Sequence, residues 1–308
     1  MGKKRFGVAV AVAFLALIHF SVSVPFVMLH GISADCSDET NSNFTQLLIN
    51  QSGSQGFCLE IGNGEEDSWF KPLTKQVEIV CDQVKEKKEL HEGYNIVARS
   101  QGNLVARGLI EFCDDGPKVY NYVSLAGPHA GISSVPFCGV FSNGVLCDKA
   151  DNLMETLGVY TETVQNLVAP SGYVKIPKDI AAYVKGSKYL PKLNNEIPNQ
   201  RNATYKDRFS DLDNLVLVMF EDDKVIVPKE SSWFGFYGDN ATAEEPVLPA
   251  SQTQLYTEDW IGLKTLDNAG KVQFVSVPGQ HDVMAIPDVM KYVVPYLQNN
   301  SSSVQRLN

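Results

Sequence analysis

Short runs of Val, Ile, Leu and aromatic residues recur along the chain at 24–29, 57–61, 94–98, 119–126, 215–220 and 272–277, each closed by glycine or polar residues. None alternates strictly between apolar and polar. The pattern therefore predicts strands covered on both faces, as in a parallel sheet. Between them the apolar spacing turns helical, at Leu104, Val105, Gly108, Leu109 and Phe112, and again at Val289, Met290, Val293, Val294 and Leu297. Strands alternating with helices predict a doubly wound α/β fold with a mostly parallel central sheet.

The interval between the fourth and fifth strands, about 127–212, is too long for a loop. It carries its own amphipathic spacing at Leu153, Leu157, Tyr160, Val164 and Leu167. It is expected to be a helical insertion lying over the carboxyl edge of the sheet, where open α/β sheets bind their ligands.

The two ends read differently. Lys3, Lys4 and Arg5 precede an apolar run over about 6–18, and Ser21-Val22-Ser23 then supplies small residues. This is the pattern of a secretory signal peptide, 1–23, cleaved after Ser23. The run is shorter than the roughly 20 residues that span a bilayer, so no stable membrane insertion is expected. Residues 24–298 then form the globular domain, and 299–308 a polar, disordered tail. An even set of six cysteines suits an oxidising compartment. So do acceptor triplets for N-glycosylation starting at Asn43, Asn50, Asn202, Asn240, Asn299 and Asn300.

Charge narrows the partners. With 26 Lys and Arg against 36 Asp and Glu, the net charge is −10, which leaves no basic surplus for a nucleic acid or an anionic membrane. No cysteine pair has metal-ligand spacing, and no glycine-rich loop has the residues that hold phosphate, so neither metal nor cofactor is expected.

The chemistry concentrates at Ala98-Arg99-Ser100-Gln101-Gly102, a small-x-Ser-x-Gly string between a predicted buried strand and an amphipathic helix. That is the context of a nucleophile elbow, whose sharp turn needs small residues two before and two after the serine. A serine hydroxyl requires a base. Of five histidines, His19 falls in the signal peptide, His30 follows the first strand, and His91 lies at the wrong end of the strand leading to Ser100. His129 reads as a loop histidine beside the site. His281, after the last strand, fits the order serine, acid, histidine. The acid should follow the intervening strand, where Glu221-Asp222-Asp223 stand together, and spacing alone does not rank Asp222 against Asp223. The backbone N–H of Gln101, and that of Ile32 in the run His30-Gly31-Ile32, are the expected oxyanion donors.

With these residues located, the chain resembles the palmitoyl-protein thioesterases, in a plant-like form, over nearly all of 24–297. The likeness rests on His30-Gly31-Ile32, Arg99-Ser100-Gln101-Gly102, Trp233-Phe234-Gly235-Phe236-Tyr237, Leu255-Tyr256-Thr257-Glu258-Asp259 and Asp267-Asn268-Ala269-Gly270. The resemblance implies an α/β-hydrolase fold with a helical lid. It also implies removal of long-chain fatty acyl groups from cysteine thioesters of proteins or peptides, in the lysosome or its equivalent (vacuole or cell exterior). It places the acid on Asp223 and pairs Cys81 with Cys113 and Cys138 with Cys147. Cys36 and Cys58 are then left for each other by arithmetic. Ala98 in place of glycine, and Gly279-Gln280-His281, depart from the family pattern. The triad itself does not separate a thioesterase from a lipase or esterase acting on oxygen esters. Its completeness argues against a catalytically silent lipid-binding protein.

Overall fold

The structure, a computed structural model, describes residues 23–134, 138, 144–242 and 245–298. The predicted signal peptide, up to residue 22, and the tail from 299 lie outside the described residues. Six strands, β1 (Phe26–Leu29), β2 (Gly56–Cys58), β3 (Tyr94–Arg99), β4 (Val119–Leu125), β5 (Asn214–Phe220) and β6 (Val272–Val277), form one sheet in the order β2-β1-β3-β4-β5-β6. Every pairing is parallel. This is the α/β-hydrolase arrangement.

The missing alternation in the sequence has a direct cause. In β1, Phe26 and Met28 enter one buried cluster while Val27 and Leu29 enter another, so both faces need apolar residues. One face is covered by α1 (Glu39–Ser52) and the chain's last helix, through Leu48, Val289, Val293 and Leu297. The other face packs against α2 (Glu65–Phe70), α3 (Leu73–Glu86) and α4 (Gly102–Phe112), with Trp69, Val77, Val80, Leu104 and Leu109 inside.

Three expectations shift. The second strand is shorter than predicted, because Leu59–Ile61 leave the sheet and carry Glu60 to the loop after β1. Strand β6 is an edge, and Gln273 and Phe274 are exposed there rather than covered. The terminal helix stops at Tyr292 and resumes as a single 3₁₀ turn, Val294–Tyr296, since Pro295 has no N–H to continue the ladder.

Between β4 and β5 the described residues form α5 (Gly144–Leu157), α6 (Glu162–Gln165), α7 (Ile180–Gly186), α8 (Leu190–Leu193) and α9 (Ala203–Ser210). After β5 come α10 (Gln254–Thr257), α11 (Leu263–Asn268) and, after β6, α12 (Ile286–Tyr292). Disulfides join Cys36 to Cys58, Cys81 to Cys113 and Cys138 to Cys147. The first ties the loop after β1 to β2, the second ties α3 to the end of α4, and the third lies within the 127–212 stretch. No helix among the described residues is long and apolar enough to cross a membrane.

Candidate active site

The parallel register brings the carboxyl ends of five strands level, with Leu29 beside Ala98, Arg99 beside Leu125, and Phe220 beside Val277. The loops that leave these ends converge on Ser100.

Ser100 sits between β3 and α4 with φ +48°, a left-handed conformation that costs a side-chain-bearing residue energy and marks the elbow. Close approach is built in on both sides. A Cβ at Gly102 would come within 2.4 Å of the His30 carbonyl oxygen, and a Cβ at Gly31 within 2.9 Å of the Ser100 Cβ. Ala98 is fully buried, and its methyl is accommodated where the family pattern has glycine. The Ser100 N–H donates to the Leu125 carbonyl at 2.9 Å. The Asn103 amide donates to the Ser100 and Leu125 carbonyls, both at 2.9 Å, which fixes the turn to β4.

His281 Nε2 is 2.9 Å from Ser100 Oγ, and Nδ1 is 2.7 Å from Asp223 Oδ2. A carboxylate only accepts, so the ring proton sits on Nδ1 and Nε2 is free to accept from the hydroxyl. The Asp223 side chain is fully buried. Its Oδ1 accepts from the backbone N–H groups of Val225 (2.8 Å) and Ile226 (3.0 Å). This turn chooses among the three adjacent acids. Asp222 and Glu221 are exposed. The Asp222 backbone N–H donates to the Gly279 carbonyl, and Glu221 accepts from the Ser276 hydroxyl.

The backbone N–H groups of Ile32 and Gln101 make no hydrogen bond within the chain among the described residues. Both residues are buried. The side chain of Gln101 is held elsewhere, donating to the Ser68 carbonyl at 2.8 Å and accepting from Tyr173 Oη at 3.0 Å. The remaining described histidines are otherwise engaged. His129 is buried, stacks on Phe234 and shares a 2.8 Å hydrogen bond with Ser124 Oγ. Burial, and secondarily Arg107, push its pKa well below the ordinary imidazole value. His91 bonds the Lys85 carbonyl at the surface. His30 pairs with Glu60 at 2.9 Å, and Glu60 also accepts from the Cys36 N–H. His30, Cys36 and Glu60 lie close together. The Cys36 sulfur is already bonded to Cys58, so the trio offers no thiolate to a metal.

One group of residues escaped the sequence reading. Arg99, next to Ser100, pairs through Nε with Asp282 Oδ2 at 2.8 Å, and Asp282 follows His281 directly. A charged residue at the buried end of a strand, between Ala98 and Ser100, was the available signal that a partner had to exist.

Cavities of about 920 and 440 Å³ lie around α7 and the 234–260 segment, and none of the triad lines either. The hydrogen-bonded relay, rather than cavity size, therefore marks the chemistry.

Known proteins share this chain's pattern. The palmitoyl protein thioesterase family model matches residues 25–281. Palmitoyl-protein thioesterase 3 of Dictyostelium discoideum is 34% identical over 292 residues, 92% of this chain and 96% of that protein. Palmitoyl-protein thioesterase 1 of Caenorhabditis elegans is 35% identical over 264 residues, 84% and 86% of the two chains. The lysosomal thioesterase PPT2 homolog of Drosophila melanogaster is 30% identical over 303 residues, 95% and 99% of the two.

Proposed function

The chain belongs to the palmitoyl-protein thioesterase family, and from that membership we propose that Ser100, His281 and Asp223 hydrolyse long-chain fatty acyl thioesters on S-acylated proteins or peptides. The observation that carries the assignment is the relay from Ser100 Oγ through the imidazole to a buried carboxylate, at 2.9 and 2.7 Å.

Ser100 Oγ attacks the thioester carbonyl carbon while Nε2 takes the hydroxyl proton. Asp223 holds the ring in this tautomer and offsets the charge of the imidazolium that forms. Negative charge on the former carbonyl oxygen is received by the Ile32 and Gln101 N–H groups, which have no other acceptor among the described residues. Collapse of the intermediate breaks the carbon–sulfur bond, and the imidazolium returns its proton to the departing cysteine sulfur. Water, activated by the same imidazole, then attacks the acyl-serine and releases the fatty acid. Every proton in this cycle passes through His281.

The 127–212 stretch is the natural wall for the acyl chain, because it joins the site at the elbow itself. Tyr173 Oη donates to the Gln101 side chain, and Tyr189 Oη donates to the Leu104 carbonyl at 2.7 Å. Three disulfides and the lysosomal designation of a relative support a place in the secretory pathway, in a lysosome or vacuole or outside the cell.

The test is hydrolysis of a palmitoyl thioester peptide and its oxygen-ester counterpart by the purified protein and by Ser100→Ala. The thioester should be preferred, and the variant should retain under about one per cent of the activity, since loss of a triad nucleophile removes several orders of magnitude. Preference for the oxygen ester overturns the substrate assignment, and an active Ser100→Ala overturns the nucleophile.

A further inference from the structure

Arg99 reaches three groups at once. Nε meets Asp282 Oδ2 at 2.8 Å, Nη2 donates to the Asp282 carbonyl at 3.3 Å, and Nη1 donates to Asn41 Oδ1 at 2.7 Å. Its guanidinium also lies 5.3 Å from the centre of the Phe44 ring on α1. The residue before the nucleophile is thereby fastened to the residue after the base, across 183 positions of sequence. Asp282 has φ +58°, so the histidine loop turns sharply where it is gripped. Its second carboxylate oxygen, Oδ1, is buried and bonds nothing else among the described residues.

We infer that Arg99 and Asp282 form a positioning pair that sets the distance between Ser100 and His281 and balances the charge felt by the imidazole. The inference rests on the proposed role of His281 as base.

The pair joins the two loops whose separation matters most. His281 hangs on a turn after edge strand β6, while Ser100 is locked at the β3–α4 turn against the end of β4. Apart from the Nε2···Oγ contact itself, the Arg99–Asp282 bonds are the direct tie between these two turns among the described residues. A second tie, the Asp222 N–H to the Gly279 carbonyl, aligns the histidine loop with the acid loop instead. The electrostatics are equally specific. The charged groups acting together around Asp282 are Arg99, His281 and Asp223. Burial raises the Asp282 carboxyl above the ordinary aspartate value, and Arg99 and His281 pull against that rise. Beside the imidazole, Asp282 favours a positive ring and Arg99 disfavours one. The two contributions oppose each other while both residues are present.

That balance gives a readout that loosening alone would not. The rate at which a fluorophosphonate labels Ser100 depends on free imidazole and needs no thioester substrate. Its pH profile should be measured for the full secreted protein and for Asp282→Asn, Arg99→Gln, Arg99→Lys and the double variant Arg99→Gln/Asp282→Asn. Removing the negative partner should move the acid limb to lower pH by several tenths of a unit, and removing the positive partner should move it higher. The double variant should return to the wild-type limb. All variants should label more slowly at the plateau. Arg99→Lys should restore the limb but not the plateau rate, because an ammonium keeps the charge but cannot make three directed bonds. Limbs that move together, or stay in place in well-folded variants, overturn the inference. Asp282→Asn alters no volume and removes no packing, so it keeps the test decisive should Arg99→Gln fold poorly. Failure of the wild-type Ser100 to label at all would instead overturn the serine-hydrolase assignment on which the inference rests.

Discussion

Asp223→Asn tests the relay at its most instructive atom. An amide has one oxygen and one NH₂, so it cannot serve both of the bonding partners of Asp223. If its oxygen stays with the Val225 and Ile226 N–H groups, the NH₂ faces His281 Nδ1. The ring must then accept at Nδ1, its proton moves to Nε2, and that proton points at the serine hydroxyl. No base remains. If the amide flips, His281 keeps its tautomer but two buried backbone donors face an NH₂. Each unsatisfied donor costs about 1–3 kcal/mol, so the productive orientation lies about 2–6 kcal/mol above the other. At about 1.4 kcal/mol per decade, kcat should fall by roughly 30-fold to 10⁴-fold. The upper end agrees with the loss of about 10⁴ known for the equivalent change in a different triad. KM should change little, because the carboxylate touches no substrate. Steady-state turnover of a palmitoyl thioester by Asp223→Asn, Asp222→Asn and Glu221→Gln would measure this. The two exposed neighbours should stay within about threefold of wild type, because water and salt screen their fields at the ring. A folded Asp223→Asn within tenfold of wild type, or an inactive Asp222→Asn, would refute the reasoning.

Replacing Cys81 and Cys113 by alanine opens a loop spanning 32 positions, and chain entropy puts the loss at about 3–4 kcal/mol. A chemical-denaturation midpoint unchanged under non-reducing conditions would contradict this. Burial pushes the Glu111 carboxyl up to about 7, against the pull of Arg107, so the folded chain holds a proton that the unfolded chain releases near 4.5. Stability from this group is therefore full below about pH 4.5, declines by on the order of 3 kcal/mol as pH rises to about 7, and is level beyond. Denaturation curves for wild type and Glu111→Gln across that range should differ in slope, with the variant flatter. Gly31→Val should cut turnover more than a hundredfold, because its first carbon would stand 2.9 Å from the Ser100 Cβ and displace the Ile32 N–H from the carbonyl oxygen. Full activity in that variant would remove the loop after β1 from the mechanism.

The parts of the site that could be read from sequence are those built from consecutive residues. The elbow announces itself because a strand, a tight turn and a helix must follow one another, and the turn admits small residues only at fixed offsets. His281 emerged by elimination among few histidines and by its place after the last strand. The acid was different. Three carboxylates in a row look alike until the loop folds, and Asp223 is distinguished by two backbone bonds to residues two and three positions on. The pair Arg99–Asp282 was illegible for a stronger reason, since nothing local to either residue specifies the other. The strands were readable as buried runs, but the exposed side of β6 was not, because an edge is a property of strand order rather than of composition. The apolar spacing at the C-terminus runs straight through Pro295 and so does not show the break that this residue makes.

The roots of the 127–212 stretch bear on how a fatty chain gains entry. Arg107 on α4, about two turns past Ser100, is fully buried and binds Glu111 Oε1, the Leu193 carbonyl and Asn194 Oδ1, while its guanidinium lies against Phe209 and Phe234. Pulling α8 away would take the Leu193 and Asn194 acceptors from this cation and leave it Glu111 and the His129 carbonyl, and each lost hydrogen bond to a charged group costs about 1.5–3 kcal/mol. Tyr173 and Tyr189 would lose their bonds to α4 in the same movement. At these points the stretch is riveted, not hinged. A lipase that unroofs itself at an oil–water boundary leaps in rate when its substrate aggregates. On the proposed function, segments pinned to α4 at Tyr173, Tyr189 and Leu193–Asn194 would make no such stroke, and the acyl chain would thread in alongside them as a single molecule. Velocity should then follow the concentration of dispersed substrate and stay smooth through the onset of micelles.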